Sequence, residues 1–305
     1  MTKPDTTCTQ VDHFKDHLIE QILALAMLED LGPGPLDVTS AATIPAEKIC
    51  RAKLVLKESA VVCGLNIFDT VVKCLSPQNK IDIVELVEEG TFVEVGSQPV
   101  PVAEISADAR TLLAAERLSL NLIQRMCGVA TITATYTKIA APAKIQILDT
   151  RKTMPGLRAF DRRAVKAGGG TNHRFGLFDA ILIKDNHVRA AGSVTNAMAQ
   201  ARLYLQNEGK QLENRNIEVE VTTLDELGEA LEAKAERVLL DNMPPDLVRQ
   251  AIAKIKENAL QPFVEVSGGI NLANLESYLI PGVNAISIGA ITHSAKNIDL
   301  SLEFQ

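Results

Sequence analysis

Residues 217–242 read IEVEVTTLDELGEALEAKAERVLLDN, and this stretch decides the fold class. Its first and last parts, IEVEV and RVLLDN, are short runs rich in Val, Leu and Ile, as in buried strands. The part between them, LDELGEALEAKAE, has the apolar spacing of a helix. A strand, a helix and a second strand in this order predict two parallel strands joined by a helix.

The same alternation of apolar runs and helical patterns occupies the chain from about Pro142 onward. The other runs are KIQILDT (144–150), DAILIKD (179–185), FVEVSGG (263–269) and NAISIGA (284–290). Six or seven such units predict an α/β fold, with a parallel sheet covered by helices on both faces. Such a sheet is either open or curved into a barrel.

The residues that follow the strands favour the barrel. Polar residues or glycines stand at the carboxyl ends of the predicted strands: Asp149–Arg151, Lys184, Glu220, Asp241, Ser267–Gly268 and Gly289. A ring of such residues above apolar strand bodies is how a barrel of the TIM type builds its site. An open sheet gathers its polar ends near a single switch point instead.

The chain before Pro142 has a different pattern. Three-four spacing of apolar residues predicts a helix over 11–30, which the Gly/Pro cluster at 31–37 ends. A short helix is predicted over 67–74 and a long one over 108–135. The strand-like runs of this region are RAKLVLKES (51–59), AVVCG (60–64), IDIVELVEEG (81–90) and TFVEVG (91–96).

Composition excludes several classes of protein. The chain has 305 residues and a formal net charge of −7, so general affinity for nucleic acid or an anionic membrane is not expected. Its longest early apolar run, 22–28, is much shorter than a membrane span. The five cysteines are widely spaced and form no CxxC pair, which indicates free thiols in a reducing compartment. We expect a cytoplasmic protein.

Positive charge is concentrated between Arg151 and Arg189, a segment with nine Lys or Arg and three Asp. The candidate cations near strand ends are Arg151, Lys152, Arg174 and Lys184. A cation at the end of an apolar strand is costly to desolvate unless an anion meets it, and guanidinium groups bind carboxylates and phosphates with two hydrogen bonds. His173 is a further donor beside Arg174, and the glycines at 168–170 are expected to let the backbone turn there. We predict a pocket for an acidic substrate.

Glu220 and Asp241 end two neighbouring strands, and no His or Cys stands near them in the sequence. Two carboxylates of this kind make a hard oxygen site that suits Mg²⁺, which favours carboxylates, waters and substrate phosphates. A pair of hydrogen-bonded carboxylates that only closes the strand ends explains the same spacing. The spacing alone leaves both interpretations open.

The last two strands end in small residues, Ser267, Gly268 and Gly269 after one and Gly289 after the other. Backbone N–H groups at such a helix start can hold a phosphate, and late barrel strands are the usual place for it. Tight turns alone need the same glycines. With the cations and carboxylates, these residues suggest a phosphorylated sugar donor, a Mg²⁺-bound leaving group and an anionic acceptor.

Longer motifs over nearly the whole chain carry a resemblance to a known family. They are LEDLG (28–32), ERLSLNLIQRMCGVAT (116–131), LDTRKTMPGLR (148–158), GGGTNHRFGLFDAILIKDNH (168–187), EVEV (218–221), VLLDN (238–242), VEVSGGI (264–270) and ISIGA (286–290). In content, order and interval the set resembles the quinolinate phosphoribosyltransferases, the carboxylating nicotinate-nucleotide pyrophosphorylases. Because each motif is long, the resemblance is specific.

The resemblance implies a fold and an assembly. The family combines an N-terminal α/β sandwich with an incomplete α/β barrel of the TIM type. We therefore expect the sandwich at 1–117, with 291–305 packing back on it, and the barrel at 118–290. The resemblance also implies a homodimer with active sites shared across the interface, where Arg117 of one subunit reaches the quinolinate of the other. Higher assembly is left open.

The resemblance further implies a role for each candidate residue. Those expected to line the quinolinate pocket are Arg151, Lys152, His173, Arg174 and Lys184. Those expected to hold the ribose hydroxyls and Mg²⁺ are Glu220 and Asp241. Those expected to hold the 5′-phosphate are Ser267, Gly268, Gly269 and Gly289. Lys152, Lys184, Glu220 and Asp241 are the expected catalytic residues.

The implied reaction is attack of the pyridine nitrogen of quinolinate on C1 of phosphoribosyl pyrophosphate, with release of pyrophosphate. Loss of the 2-carboxylate as carbon dioxide then gives nicotinate mononucleotide, a step of NAD biosynthesis. One alternative is a related transferase for another aromatic acid, which would need fewer cations. Another is a non-catalytic dimer that binds phosphorylated sugars, which we would expect to lack Glu220 or Asp241.

Two positions depart from the family pattern. The stretch EDLGPGPLDVTS (29–40) carries two residues more than is usual, and Met154 stands where the family has Thr. Neither departure falls on a residue expected to take part in the chemistry.

Overall fold

The structure, a computed structural model, describes residues 6–34, 37–75, 78, 80–207 and 217–305. Pro35 and Leu36, in the lengthened loop predicted at 29–40, lie outside the described residues. The chain forms two compact units. The first comprises Met1–Ala134, Thr153–Gly169 and Thr292–Gln305, and the second comprises Thr135–Lys152 and Gly170–Ile291. The sequence domains expected at 1–117 and 118–290 stay a prediction.

Helices and strands alternate along most of the described chain. The helices are α1 (Thr6–Leu31), α2 (Val38–Thr43), α3 (Ile67–Leu75), α4 (Ala109–Ala140), α5 (Arg158–Ala167), α6 (Asp185–Ala191), α7 (Val194–Asn207), α8 (Leu224–Glu232), α9 (Pro245–Lys256) and α10 (Ala290–His293). The strands are β1 (Ile49–Leu56), β2 (Ala60–Val61), β3 (Ile81–Glu85), β4 (Phe92–Val93), β5 (Val100–Asp108), β6 (Gln146–Leu148), β7 (Ile181–Ile183), β8 (Ile217–Val221), β9 (Arg237–Asp241), β10 (Phe263–Ser267), β11 (Ala285–Ser287) and β12 (Leu300–Phe304). The helices predicted at 11–30, 67–74 and 108–135 correspond to α1, α3 and α4.

The first unit contains a four-stranded antiparallel sheet in the order β12-β1-β5-β3. One face of β1 is buried through Ala52, Leu54 and Leu56, as strand alternation requires. The central position of β1 depends on β12, which comes from the far end of the chain and pairs with it over five residues. A small β2-β4 ladder lies apart from this sheet.

Strand β5 was not predicted from the sequence, and its prolines explain why. Pro99 and Pro101 stand at its start, and proline usually argues against a strand because it cannot donate to the ladder. Here the pairing of β1 with β5 shifts register between Leu54 and Val55, and Pro101 pairs opposite Val55 at that irregularity. A bulge is one of the few places where a strand tolerates proline.

The second unit contains a six-stranded parallel sheet in the order β6-β11-β10-β9-β8-β7. Strand β6, the first of these strands in the sequence, pairs with β11, the last. This closing of the strand order on its start is the arrangement found in a barrel. Strands β6 and β7 form the two edges. The predicted fold class, an α/β chain with an incomplete parallel barrel and a smaller sheet-containing part, is confirmed.

Both faces of the parallel sheet are packed, so its strands read as nearly continuous apolar runs. Val238 and Leu239, consecutive residues of β9 whose side chains point to opposite faces, are 0% and 4% exposed. On the helical side, α8 buries Leu227 and Leu231, and a capping box fixes its start: Thr223 accepts the Glu226 N–H at 3.1 Å. Among the described residues, no helix is both long enough and apolar enough to cross a lipid bilayer.

Candidate active site

A cavity of about 360 Å³ lies in the second unit, where the parallel strands end. The predicted site residues that line it are Arg151, Lys152, His173, Arg174, Lys184, Glu220, Asp241, Ser267, Gly268 and Gly269. Of the two other predicted residues, Gly289 stands directly before α10, and Arg117 is an exposed residue of α4 in the first unit. With Ser287 of β11, which also lines the cavity, six separate strand ends contribute to it, as the barrel interpretation required.

The guanidinium group of Arg174 is only partly satisfied. Its Nη1 donates to the carbonyl of Ala180 at 3.0 Å, while its buried Nε has no hydrogen-bond partner among the described residues. Burial lowers the pKa of Arg174, and the positive charge of Arg151 lowers it further. Two cations that repel each other beside one cavity are stabilised by an anion that meets both.

The carboxylates of the cavity lie on adjacent strands. Glu220 is buried at the next-to-last position of β8, and the side chain of Lys184, which follows β7, forms an ion pair with it. Asp241 ends β9, opposite Ser267 of β10, and accepts a hydrogen bond from the side chain of Asn242 at 2.6 Å. Two carboxylates that line one cavity are a suitable oxygen donor set for Mg²⁺.

The loop that carries His173 and Arg174 is fixed by two aspartates. The fully buried carboxylate of Asp149, just after β6, accepts the backbone N–H of His173 at 2.7 Å. Asp179, just before β7, accepts the backbone N–H of Phe175 at 2.5 Å and that of Gly176 at 2.9 Å. Charge-assisted bonds from both ends leave this loop little freedom beside the cavity.

The glycines before this loop have a packing role, within the first unit. A Cβ atom on Gly168 would lie 2.4 Å from the carbonyl oxygen of Ala130 in α4, too close for any other residue. Gly169 has φ +81°, a left-handed conformation that favours glycine. These residues therefore allow the tight turn that the sequence predicted.

At the end of β10, Gly268 and Gly269 both have left-handed backbones, with φ of +100° and +63°. A Cβ atom on Gly268 would lie 2.3 Å from the side-chain oxygen of Asn242 and 2.6 Å from its backbone nitrogen. Close approach of two strand ends thus requires glycine at 268, whereas a Cβ atom on Gly269 would meet nothing within 4 Å. The backbone at Gly269 is accessible to a ligand.

Sequence reasoning missed two glutamates next to His173. The Nε2 atom of His173 lies 3.2 Å from Glu218 and 3.4 Å from Glu265, both buried. Burial lowers the pKa of His173, and these two carboxylates raise it. The Arg174 amide donates to Nδ1 at 2.7 Å, which a doubly protonated ring could not accept, so this bond keeps the ring neutral against the pull of the carboxylates. The first proton therefore lies on Nε2 and faces the carboxylates. A glutamate inside a buried strand was the signal in the sequence.

Comparison with known proteins agrees with this geometry. The chain matches the family profile "Quinolinate phosphoribosyl transferase, N-terminal domain" over residues 37–127 and the corresponding C-terminal domain profile over 129–303. It is 41% identical over 289 residues to a probable carboxylating nicotinate-nucleotide pyrophosphorylase of Bacillus subtilis, covering 94% of each chain. It is 38% identical to the Mycobacterium leprae protein named nicotinate-nucleotide pyrophosphorylase, covering 91% of this chain and 94% of that one.

A solved structure shows the same architecture. The nicotinate-nucleotide pyrophosphorylase of Francisella tularensis superposes with a TM-score of 0.82 at 36% identity, covering 95% of this chain and 97% of that one. Similarity of this extent includes both the antiparallel and the parallel sheet.

Proposed function

The chain belongs to the quinolinate phosphoribosyltransferase family, and from this membership and its site we propose that it converts quinolinate and phosphoribosyl pyrophosphate into nicotinate mononucleotide, pyrophosphate and carbon dioxide. This reaction is a step of NAD biosynthesis. The single observation that carries the proposal is the concentration of cations around one cavity in a chain whose net charge is −7.

The cation side of the cavity suits an aromatic dicarboxylate. Arg151 and Arg174 repel each other there, and the buried Nε of Arg174 needs an acceptor. A molecule with two adjacent carboxylates offers an acceptor to each guanidinium group at once, whereas a monocarboxylate offers an acceptor to only one of them. Lys152 and Lys184 line the same cavity and add to its attraction for a doubly charged acceptor.

The carboxylate and glycine side suits the sugar donor. We assign Glu220 and Asp241 to the ribose hydroxyls and to Mg²⁺, which would neutralise charge on the pyrophosphate leaving group. Ser267, Gly268 and Gly269 would receive the 5′-phosphate, because Gly269 leaves its backbone accessible, and Gly289 would extend that site from the start of α10.

The chemistry needs no nucleophile from the protein. The pyridine nitrogen forms the new bond to C1 of the ribose, and the bond from C1 to the pyrophosphate oxygen breaks with its electron pair going to pyrophosphate. Positive charge develops on the ribose in between, and the carboxylates of Glu220 and Asp241 stabilise it. Lys184, paired with Glu220, links the two sides and would move to the acceptor when it binds. Lys152 would offset the negative charge of both substrates.

We also propose an assembly and a compartment. A homodimer in which Arg117 reaches the partner's acceptor would explain an exposed arginine on α4 within one of the family's motifs. The described cysteines, Cys50, Cys63, Cys74 and Cys127, are all free thiols, which suits a cytoplasmic enzyme.

The test is mass spectrometry of the products after incubation with quinolinate, phosphoribosyl pyrophosphate and Mg²⁺. We expect nicotinate mononucleotide and pyrophosphate in equal amounts. A parallel incubation with nicotinate, which carries a single carboxylate, should give at most a trace of product. Equal turnover of both acids would assign the protein to a different acceptor, and absence of product with quinolinate would reject the proposal.

A further inference from the structure

Four polar side chains form a cluster in which Glu218 and Glu265 are buried, and three of them, Glu218, Glu265 and Arg237, have no role in the proposed reaction. Glu218, Arg237 and Glu265 come from β8, β9 and β10, nearer the amino ends of these strands than Glu220, Asp241 and Ser267. Arg237 lies 3.4 Å from Glu218 through Nε and 3.6 Å from Glu265 through Nη2. His173 completes the cluster through Nε2.

Glu265 is the costliest member of this cluster. Its side chain has no exposed surface, and its polar neighbours, His173 at 3.4 Å and Arg237 at 3.6 Å, stand at ion-pair distance without a hydrogen bond of normal geometry among the described residues. A buried carboxyl group without hydrogen bonds destabilises a fold, whereas leucine would fill a similar volume without that cost. Such a residue in an otherwise apolar strand points to function, because natural sequences break local rules mainly at functional sites.

Glu265 itself lines the cavity, and the rest of the cluster reaches it through His173, whose position is fixed on three sides. The Nε2 atom of its ring faces the two glutamates, and the Nδ1 atom accepts the backbone N–H of Arg174 at 2.7 Å. The backbone N–H of His173 itself donates to Asp149 at 2.7 Å. The ring therefore connects the buried acids directly to the backbone of Arg174.

The segment that carries His173 and Arg174 needs to be held in place because open space lies on both of its sides. A second cavity, of about 560 Å³, is lined by His173 and Arg174 and also by Glu218 and Arg237. His173 and Arg174 thus separate two open spaces. Asp149 and Asp179 hold the backbone of this loop, and without an anchor on the His173 ring the Arg174 side chain would still spend part of its time away from the first cavity.

We propose that Glu218, Glu265 and Arg237 are positioning residues for acceptor binding. The two carboxylates anchor the His173 ring, the ring holds the Arg174 backbone, and Arg237 balances the carboxylate charge from its place on the Phe263 ring, 4.0 Å from the ring centre. The inference rests on the proposed function, since it concerns the arginine that we assign to the carboxylates of quinolinate.

The cluster has a second interpretation, as a metal site. One ligand atom from each of His173, Glu218 and Glu265 lies within 4.8 Å of the others. Arg237 opposes a metal there, because its guanidinium group already supplies positive charge to both carboxylates. A metal ion is therefore an outcome against which the proposal is tested.

The experiment compares Glu265→Leu, Glu265→Gln and Glu218→Gln with the wild-type protein. Glu257→Gln, an exposed glutamate at the end of α9, is the matched control. Titration calorimetry gives the Kd of quinolinate and, separately, of phosphoribosyl pyrophosphate with Mg²⁺. Steady-state rates give the KM of each, thermal unfolding gives the midpoint, and elemental analysis after dialysis gives bound metal.

In Glu265→Leu we expect the Kd and KM of quinolinate to rise about tenfold, because the His173 ring loses one of its two carboxylate contacts. The donor values should stay within about twofold, and the unfolding midpoint should change little, because Arg237 and His173 both keep Glu218 as a partner and leucine fills the space of a desolvated carboxylate. Glu265→Gln, which keeps the polar group, should recover most of the quinolinate affinity. Glu218→Gln should bind quinolinate more weakly than Glu265→Gln does, because Glu218 lies closer to the His173 ring, at 3.2 Å against 3.4 Å.

Three results would overturn the proposal: an unchanged quinolinate Kd in Glu265→Leu and Glu218→Gln, an equal loss for both substrates, or one equivalent of metal in the wild-type protein that Glu265→Leu lacks. Should Glu265→Leu not fold, the two Gln variants decide by the same criteria. Failure of the proposed function is a separate result, namely a wild-type protein that makes no nicotinate mononucleotide.

Discussion

Arg125 holds Asp161 by two parallel hydrogen bonds in the first unit, from Nε to Oδ1 at 2.7 Å and from Nη2 to Oδ2 at 2.8 Å. The Asp161 side chain is fully buried, and that of Arg125 is 13% exposed. Burial raises the pKa of Asp161, and the hydrogen bonds and charge of Arg125 oppose that rise. The pair connects α4 to α5 and, through a further bond from Arg125 to the Thr292 carbonyl, to the segment before β12.

Removing one partner of this pair should be costly. Arg125→Met leaves a buried carboxylate without its cation, and we expect the free energy of unfolding to fall by about 3–5 kcal/mol. Replacing both residues, Arg125→Met with Asp161→Leu, should restore much of the loss because no charge is then left unpaired. Urea denaturation measures both variants. A double variant as unstable as the single one would mean that the pair matters for its shape rather than its charge.

Arg174→Ala should weaken quinolinate binding and leave the sugar donor almost unaffected. Losing one charge-assisted partner in a largely dry site costs on the order of 1.5–3 kcal/mol. Calorimetric titration with each substrate separates the two effects. Arg189→Ala is the control, because Arg189 belongs to the same basic segment but its side chain is 76% exposed. Similar losses for donor and acceptor would contradict the assignment of Arg174 to the acceptor.

The shared-site assembly predicts complementation between two inactive variants. Arg117→Ala and Glu220→Ala should each be nearly inactive as homodimers. Random reassociation of equal amounts makes about half of the dimers mixed, and each mixed dimer has one intact site. Activity should therefore recover to roughly a quarter of the wild-type value per total site. If differential labelling shows exchange of subunits and no activity returns, Arg117 serves its own subunit.

Glu58 predicts a pH-dependent stability of the first unit. Its carboxylate accepts the backbone N–H of Asp299 at 2.8 Å and forms an ion pair with Lys296 at 3.0 Å. Both contacts lower the pKa of Glu58, the one with Asp299 more than the one with Lys296. A lowered carboxyl pKa stabilises the fold above the unfolded value of about 4.3 and ceases to do so as pH falls through the folded value. Glu58→Gln should therefore cost roughly 1 kcal/mol at pH 7 and little at pH 3. Urea midpoints of both proteins across this range test it, and a difference independent of pH would exclude the ionised carboxylate as its cause.

Gly128→Ala should destabilise the protein although it replaces glycine inside a helix. Alanine normally gains about 1 kcal/mol over glycine in a helix interior. Here a Cβ atom would lie 1.9 Å from the backbone oxygen of Lys296, a clash that requires the segment before β12 to move. Overpacking of this kind costs about 1–3 kcal/mol or more, which exceeds the helical gain. Gly96→Ala, where the Cβ would meet nothing within 4 Å, is the control in thermal unfolding. A more stable Gly128→Ala would contradict the close approach.

The parallel sheet was predictable because each strand is buried on both faces. Runs such as IEVEV and RVLLD are therefore recognisable as strands from their composition. In the structure β8 and β9 occupy these runs, at Ile217–Val221 and Arg237–Asp241. Strand β12 was missed for the opposite reason. It lies at one edge of the antiparallel sheet, and only Leu300 and Leu302 of its five residues are buried, so it has no continuous apolar run that marks it as a strand.

The cavity was predictable as far as strand ends reveal it. Lys184 and Asp241 follow or end apolar runs, so parallel packing brings them together without further information. Glu265 and Arg237 were not predictable as a cluster, because their meeting depends on strand register and on the reach of His173 from another loop. The periodicity of the sequence shows which face of a strand a side chain points to. It does not show which side chains of three neighbouring strands lie beside one another, because that depends on the register of the strands.

The place of β12 in its sheet has a consequence for synthesis of the protein. Strand β1 leaves the ribosome well before its partner β12, which consists of residues 300–304, so the two can pair only after residues 57–304 have also been translated. Until then one edge of β1 presents open backbone groups, the kind of edge that associates with other nascent chains. We expect a chain stalled before residue 300 to be retained by chaperones and to aggregate when released.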